Sequence, residues 1–333
     1  MVVAKKYVLV KHSEGFPKPT DFKLVEEQLP PLKENEYLTE AVFLSVDPYM
    51  RAYMPRVKPN TTMIGSQIAK IVESKSPKFP VGRYVVGQFG WRSHTVASES
   101  GPQELGLQTF LLPDFQELPV SLGLGVLGMP GNTAYFGLLE LCQPKAGETV
   151  VISGAAGAVG SLVGQIAKIK GCIVIGIAGS DEKGKWLTEE LGFDYFINYK
   201  TQNVEEELRK AAPQGVDCYY DNVGGEITTT VLNQMNAFGR VALSGSISSY
   251  NSIGPFKVTT PNLTIVLQQL KLEGFIVTRW NHRWMEGIQQ NLQWIQQGKL
   301  KYRETVTEGF ENIFKAFTDM LEGVNVGKAI VKV

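Results

Sequence analysis

The sequence predicts an α/β protein made of a β-rich part followed by a doubly wound parallel sheet, and three observations predict it. Short β-rich runs broken by Pro and Gly fill residues 7–120. From Thr149 onward, apolar strands alternate with helix-patterned segments of about ten to fifteen residues, the rhythm of βαβ units. A Gly-rich turn, SGAAGAVG at residues 153–160, stands between the first strand and the first helix of that repeat. Length agrees, since 333 residues make roughly two domains at about 150 residues each.

Taken in chain order, TEAVFLSV (39–46), SQIAKIVES (66–74) and RYVVGQF (83–89) combine β-branched and aromatic residues between breakers, so each reads as a strand. The second part opens on TVVIS (149–153), then a helix over AVGSLVGQIAKIKG (158–171), the strand IVIGIA (173–178) and a helix from Ser180 to about 191. FDYFINY (193–199), a charged helix near 204–212, VDCYYD (216–221), a helix near 227–235 and GRVALSG (239–245) continue the series. Strands this continuously apolar belong to a parallel sheet covered on both faces. After Pro261 a helical LTIVLQQLKL precedes a short GFIV strand, an amphipathic helix spans about 284–297, and GKAIVKV (327–333) reads as a closing strand.

Composition excludes several classes. Thirty-three basic residues balance thirty-three acidic ones with no long like-charge run, which removes the electrostatic footprint of a nucleic-acid binder. Cys142, Cys172 and Cys218 are too few and too odd in number for a disulfide framework, so a reducing, cytoplasmic setting is expected. Lys5, Lys6 and Lys11 interrupt the apolar runs at the start, against a secretory signal. Stretches 118–139 and 149–167 are long enough to test as membrane spans, but their Gly, Pro and polar residues read as turns and short elements. With His12, His94 and His282 the only histidines, no metal site is expected.

Gly154, Gly157 and Gly160 fall where a chain must turn sharply from strand to helix. There the helix N-terminus offers unpaired N–H groups and partial positive charge to a pyrophosphate. At the end of IVIGIA, where a carboxylate would suit a cofactor lacking a 2′-phosphate, Gly179 and Ser180 leave room and Lys183 supplies charge, which favours NADP(H). A plainer reading makes Ser180 a helix N-cap and Lys183 a solvated charge, and Asp181 remains a candidate for a ribose hydroxyl.

With AAGAVG and DNVGG (221–225), the β-rich, nucleotide-binding, returning-strand order resembles the medium-chain dehydrogenase/reductase superfamily. VDPYMR (46–51), GMPGNTAYFGLLE (128–140), GSDEK (179–183), INYK (197–200), SGSISSYN (244–251) and EGFENI (308–313) narrow the likeness to its NADPH-dependent leukotriene/prostaglandin branch, which also holds plant alkenal double-bond reductases. The resemblance implies a GroES-like catalytic domain over 1–122, completed by 310–333, and a Rossmann-type NADP-binding domain over 123–309. It implies reduction of the conjugated C=C of 15-oxoprostaglandins and other enones or enals, with leukotriene alcohol oxidation as the reverse reaction, and a homodimer. Zinc-dependent members carry an early Cys and a Gly-His-Glu segment, and SVDPYMR and IGSQIAKIVES contain neither.

Without a metal, a hydroxyl must polarise the carbonyl as hydride reaches the β-carbon. Tyr250 follows the fifth strand at the carboxyl edge of the sheet, and the resemblance makes it the polarising donor; Tyr49 in DPYMR is the second candidate, at a turn where Arg51 pairing with Asp47 would equally explain the motif. By the same likeness, cofactor contacts fall to Gly157, Ala158, Val159 and Gly160, to Lys183 and Tyr199, and to Asn222 and Thr133. They extend to Ser244, Gly245, Ser246, Ile247, Ser248, Ser249 and Tyr250, to the backbone of Phe275, Ile276 and Val277, and to Asn325. A zinc-free quinone oxidoreductase and a non-catalytic NADPH-binding protein are the competing readings.

Overall fold

Residues whose side chains are apolar without interruption form the strands of greatest burial, and these build the centre of a parallel sheet. The computed structural model describes residues 2–99 and 106–333. The chain divides into two compact units, one of residues 1–125 with 304–333 and the other of residues 126–303.

In the second unit six parallel strands run in the order Tyr195–Asn198, Ile173–Ala178, Thr149–Ser153, Val216–Asp221, Met235–Leu243 and Lys271–Gly274. Chain order reverses between Thr149–Ser153 and Val216–Asp221, the switch point of a doubly wound sheet, where ligands bind beyond the strands' carboxyl ends. All five residues of Thr149–Ser153 are buried. The following helix, Gly160–Ile169, lies close on the sheet because of its glycines: a Cβ on Gly164 would sit 1.9 Å from the Phe193 ring.

Two elements differ from the sequence expectation. The helix near 227–235 is Gly225–Leu232, and Met235 instead starts the fifth strand by pairing with Val216. The last strand is Lys271–Gly274, three residues before GFIV. It pairs on one side only, with Met235–Leu243, so its half-exposed residues need no apolar run to be stable there.

The first unit holds a three-stranded sheet, Phe22–Gln28, Val3–Leu9 and Thr61–Thr62, and a larger one. Its order is Glu304–Glu308, Lys328–Lys332, Glu36–Val46, Gln67–Ser74, Tyr84–Gly87 and Phe110–Leu111, with His94–Ser98 also on Glu36–Val46. Leu9, Leu44, Met50, Met54, Met63, Trp91 and the helix residue Phe317 fill the core between these elements, and Trp91 stacks on Phe22 with ring centroids 5.5 Å apart. Among the described residues no helix is long and apolar enough to cross a membrane.

Candidate active site

The phosphate-binding turn is built by backbone constraint. Gly154 has φ +61°, a conformation costly for other residues, and the Gly157 N–H donates to Gly154 O at 3.0 Å. A Cβ on Gly160 would lie 2.4 Å from that same oxygen, so only glycine allows this crossing of strand end and helix start. Gly157, Ala158 and Val159 remain partly exposed on the turn, while Gly160 is buried at the head of Gly160–Ile169.

Asp221 organises the neighbouring strand end. Its Oδ1 accepts from Ser153 Oγ at 2.8 Å, Tyr219 OH at 2.9 Å and the Val223 and Gly224 N–H groups at 2.9 Å, and its Oδ2 accepts from Thr228 Oγ1 at 2.5 Å. Asn222 donates from Nδ2 to Ser153 O at 2.8 Å and from its backbone to Ser153 Oγ at 3.0 Å, so it fastens the fourth strand's end to the first. Sequence reasoning assigned Asn222 to the cofactor and passed over Asp221; an Asp directly after the aromatic pair Tyr219–Tyr220 at a strand end was the available signal.

The segment 244–250 folds over the same edge. Ser244 N–H donates to Asp221 O at 2.8 Å, Ile247 N–H to Asn222 O at 3.3 Å and Ser248 Oγ to Val223 O at 2.6 Å; Ser249 Oγ closes the turn onto Ser246 O at 2.8 Å. Tyr250 follows the turn Ile247–Ser249 with its hydroxyl oxygen accepting the Ser246 N–H at 3.1 Å. That bond draws charge from the phenol oxygen and strengthens the O–H as a donor.

Thr133 is buried in the helix Met129–Phe136, and its carbonyl accepts the Tyr220 hydroxyl at 2.8 Å, which ties this helix to the fourth strand. Phe275 leaves the sixth strand with its N–H on Leu243 O at 3.3 Å and its ring edge-on to Tyr220 and Trp280. Ile276 is exposed and Val277 buried. The structure therefore brings 157–160, Asn222, 244–250, Thr133 and 275–277 to one edge of one sheet.

At the second strand's end, Ser180 caps the helix Asp181–Lys185 by accepting the Lys183 N–H at 3.3 Å. Asp181 accepts from Asn198 Nδ2 on Oδ1 at 2.7 Å, which ties the helix start to the end of Tyr195–Asn198. Burial lowers the Lys183 pKa from the usual lysine value, and the charge of Lys200 lowers it further. Tyr199 stands exposed at this spot, and a Cβ on Gly179 would meet its ring at 3.0 Å and Lys200 Cε at 3.1 Å. Two cations whose charges act on one another at this strand end fit a phosphate, whose charge would relieve their repulsion. Lys200 was missed in the sequence, although it directly follows Tyr199.

In the first unit, Tyr49 begins the short helix Tyr49–Tyr53 rather than lying in a loop. Its hydroxyl donates to Gln88 Oε1 at 3.5 Å, and burial together with the Asp47 charge pushes its pKa well above the usual phenol value. Asp47 is held by Lys328 Nζ at 2.8 Å and by the Ser45 hydroxyl, while Arg51 Nη2 donates to Gly15 O at 2.7 Å. Asn325 closes its own turn, Nδ2 donating to Gly327 O at 2.8 Å.

These strand-end turns define a dinucleotide-dependent oxidoreductase of the medium-chain dehydrogenase/reductase superfamily. Residues 5–105 match the family described as N-terminal domain of oxidoreductase, and residues 158–295 the one described as zinc-binding dehydrogenase. The chain is 52% identical over 334 residues to prostaglandin reductase 1 of Rattus norvegicus, covering 100% of both. It is 36% identical to the 2-alkenal reductase (NADP(+)-dependent) of Nicotiana tabacum, covering 99% of this chain and 97% of the relative. The crystal structure of CurA in complex with NADPH from Vibrio vulnificus superimposes with TM-score 0.92 at 36% identity, covering 99% of each chain. The chain belongs to the prostaglandin reductase 1 family. Among the described residues no group of three His, Cys, Asp or Glu side chains is placed to hold the zinc named in the second description.

Proposed function

We propose that this chain reduces the conjugated C=C bond of α,β-unsaturated ketones and aldehydes with NADPH, 15-oxoprostaglandins and 2-alkenals among them. The observation that carries the reading is the seat of Tyr250, its oxygen bonded by the Ser246 N–H at the switch-point edge, in a chain 52% identical over its whole length to a prostaglandin reductase 1. The second unit is the nucleotide-binding domain and the first the catalytic domain. When bound, NADPH supplies the hydride.

The turn 157–160 receives the pyrophosphate on backbone N–H groups, and Lys183, Lys200 and Tyr199 receive the adenosine ribose phosphate. Segments 244–250 and 275–277, with Thr133 and Asn222, frame the nicotinamide end. Tyr250 donates to the substrate carbonyl oxygen and holds the negative charge that develops there as an enolate. Tyr49, kept protonated by burial, is the candidate donor of the first unit. Water protonates the α-carbon.

We further infer a homodimer joined along the Lys271–Gly274 edge. The support is that open edge and the exposed side chains of Leu263, Val266 and Leu267, 71%, 69% and 66% exposed, on the helix Asn262–Leu267 before it. Sedimentation velocity reads the state directly. The three cysteines are free and buried, which supports a reducing, cytoplasmic setting.

Tyr250→Phe tests the central role. Removing one donor to the developing oxyanion lowers kcat for NADPH oxidation with an enone about 10²–10³-fold. Unchanged turnover sinks the assignment.

A further inference from the structure

Two turns of the second unit, 222–225 and 244–250, pack with no room between them. Gly224 and Gly225 both adopt left-handed backbone, with φ +74° and +70°. A Cβ on Gly224 would lie 2.5 Å from Ser246 Oγ, and one on Gly245 would lie 3.1 Å from Asn222 O. The phosphate-binding turn adjoins them, since a Cβ on Gly154 would meet Asn222 Cβ at 3.4 Å. Turns this close keep their relative places only where their backbones are fixed, and one residue, Asp221, bonds to all of them or to the strand ends that carry them.

Asp221 is 1% exposed, and the five donors to its carboxylate are all neutral. Oδ1 takes four of them, from Ser153, Tyr219, Val223 and Gly224, and Oδ2 takes the Thr228 hydroxyl. The Asp221 carbonyl takes the Ser244 and Gly245 N–H groups at 2.8 and 3.2 Å. Burial and the Asp221 charge hold the Tyr219 phenol well above its usual pKa, so it stays a donor. Four donors on one oxygen suit an anion, whose hydrogen bonds are roughly twice as strong as those of a neutral acceptor. A carboxamide in the same place fits one way only: its oxygen toward the four donors and its NH2 toward Thr228, whose hydroxyl can turn to accept.

We infer that Asp221 is a positioning residue for the nicotinamide end of the cofactor, its carboxylate fixing the turns 222–225 and 244–250 to the end of Thr149–Ser153. It acts through the groups it bonds. The adenosine end, at Lys183 and Lys200 beyond the second strand, lies outside its reach. The inference rests on the assignment of these turns to NADPH given above and deepens it by naming what holds them in place.

The test titrates NADPH and 2′,5′-ADP, which carries the adenosine ribose phosphate and lacks the nicotinamide, into wild type and Asp221→Asn. The variant is expected to raise the NADPH Kd about tenfold, from the lost charge assistance, and to move the 2′,5′-ADP Kd by less than about twofold. The preference for NADPH over NADH is expected to stay within about twofold, because Lys183 and Lys200 set it. A merely structural role would move both ligands together or neither. An NADPH Kd within about twofold of wild type overturns the inference, as does an equal loss on both ligands. Should Asp221→Asn not fold, Ser153→Ala carries the same test, since it removes one donor to Asp221 and the acceptor of the Asn222 N–H. Its expected effect is a rise of about threefold in Kd for NADPH alone, and no rise overturns the inference. Gly160→Ala separates this inference from the reading beneath it. If Gly160→Ala weakens NADPH and Asp221→Asn does not, the cofactor site stands and the positioning role falls; if neither variant weakens NADPH, the placement of the cofactor on this edge falls as well.

Discussion

Lys328→Met perturbs an ion pair that, alone among the described residues, is buried at both ends, with Lys328 and Asp47 side chains 4% and 5% exposed. Lys328 Nζ donates to Asp47 Oδ1 at 2.8 Å and to Val46 O at 2.7 Å, clamping the turn that precedes Tyr49. Methionine keeps the unbranched stem that packs beside Gly125, where a glycine Cβ would lie 3.4 Å from Lys328 Cγ, so the packing change is small. What remains is a buried Asp47 carboxylate left with the Ser45 hydroxyl as its described side-chain partner. Leaving one member of a buried pair uncompensated costs about 3–5 kcal/mol. For a cooperative unit of this size that lowers Tm by roughly 6–20 °C. Thermal and urea unfolding read the loss, and adding Asp47→Asn should recover more than half of it, because the charge is then gone and the Ser45 bond can persist. A single variant that costs less than about 1 kcal/mol, or a double variant no better than the single, refutes the reasoning.

Other expectations follow from the same geometry. Gly160→Ala places a methyl 2.4 Å from Gly154 O, so the turn must shift; the expected cost is about 1–3 kcal/mol and a rise in the NADPH Kd of at least about tenfold, read by fluorescence titration. Lys183→Ala and Lys200→Ala should each lower the preference for NADPH over NADH about 10–100-fold, the worth of a charge-assisted bond, and an intact preference in both would overturn the phosphate assignment. Glu304 is held above the usual carboxylate pKa by burial, with Ser121 Oγ donating to it at 2.7 Å and acting the opposite way. An acid raised on folding stabilises below its unfolded value and loses that contribution as pH rises through its folded value. Glu304→Gln should therefore match or fall below the wild type under pH 4 and exceed it near pH 7 in thermal melts; a variant less stable than wild type at neutral pH contradicts this.

Legibility in the sequence tracked burial. Thr149–Ser153, Ile173–Ala178 and Val216–Asp221 were read to the residue because strands covered on both faces are mostly apolar or aromatic and end at turn signals. Lys271–Gly274 was displaced onto GFIV because an edge strand carries no such signal. Strand pairing in the first unit was illegible for another reason: antiparallel partners such as Val3–Leu9 and Phe22–Gln28 alternate in burial, and nothing local names the partner. The glycine turn and Tyr250 were legible because both sit at fixed places relative to readable strands. The Lys328–Asp47 pair joins residues 281 apart, and neither residue is unusual in its own neighbourhood.

The same distinction decides what a carboxylate or a phenol means. Asp181 stands close to where an acidic residue selects a cofactor without a 2′-phosphate, yet Asn198 donates to its Oδ1 at 2.7 Å and the charge of Lys200 acts on Lys183 nearby, which agrees with the cofactor read from Gly179, Ser180 and Lys183. The two tyrosines divide in a parallel way. Tyr49 is held neutral by burial and by the charge of Asp47, against which hydrogen bonds with Ser66 and Gln88 act only in part. Tyr250 receives the Ser246 N–H on its own oxygen, so charge drawn toward the substrate is matched by a bond that strengthens as it flows. A donor that responds to developing charge stabilises the transition state more than the ground state, and that response is the ground on which the proposed function gives the principal role to Tyr250.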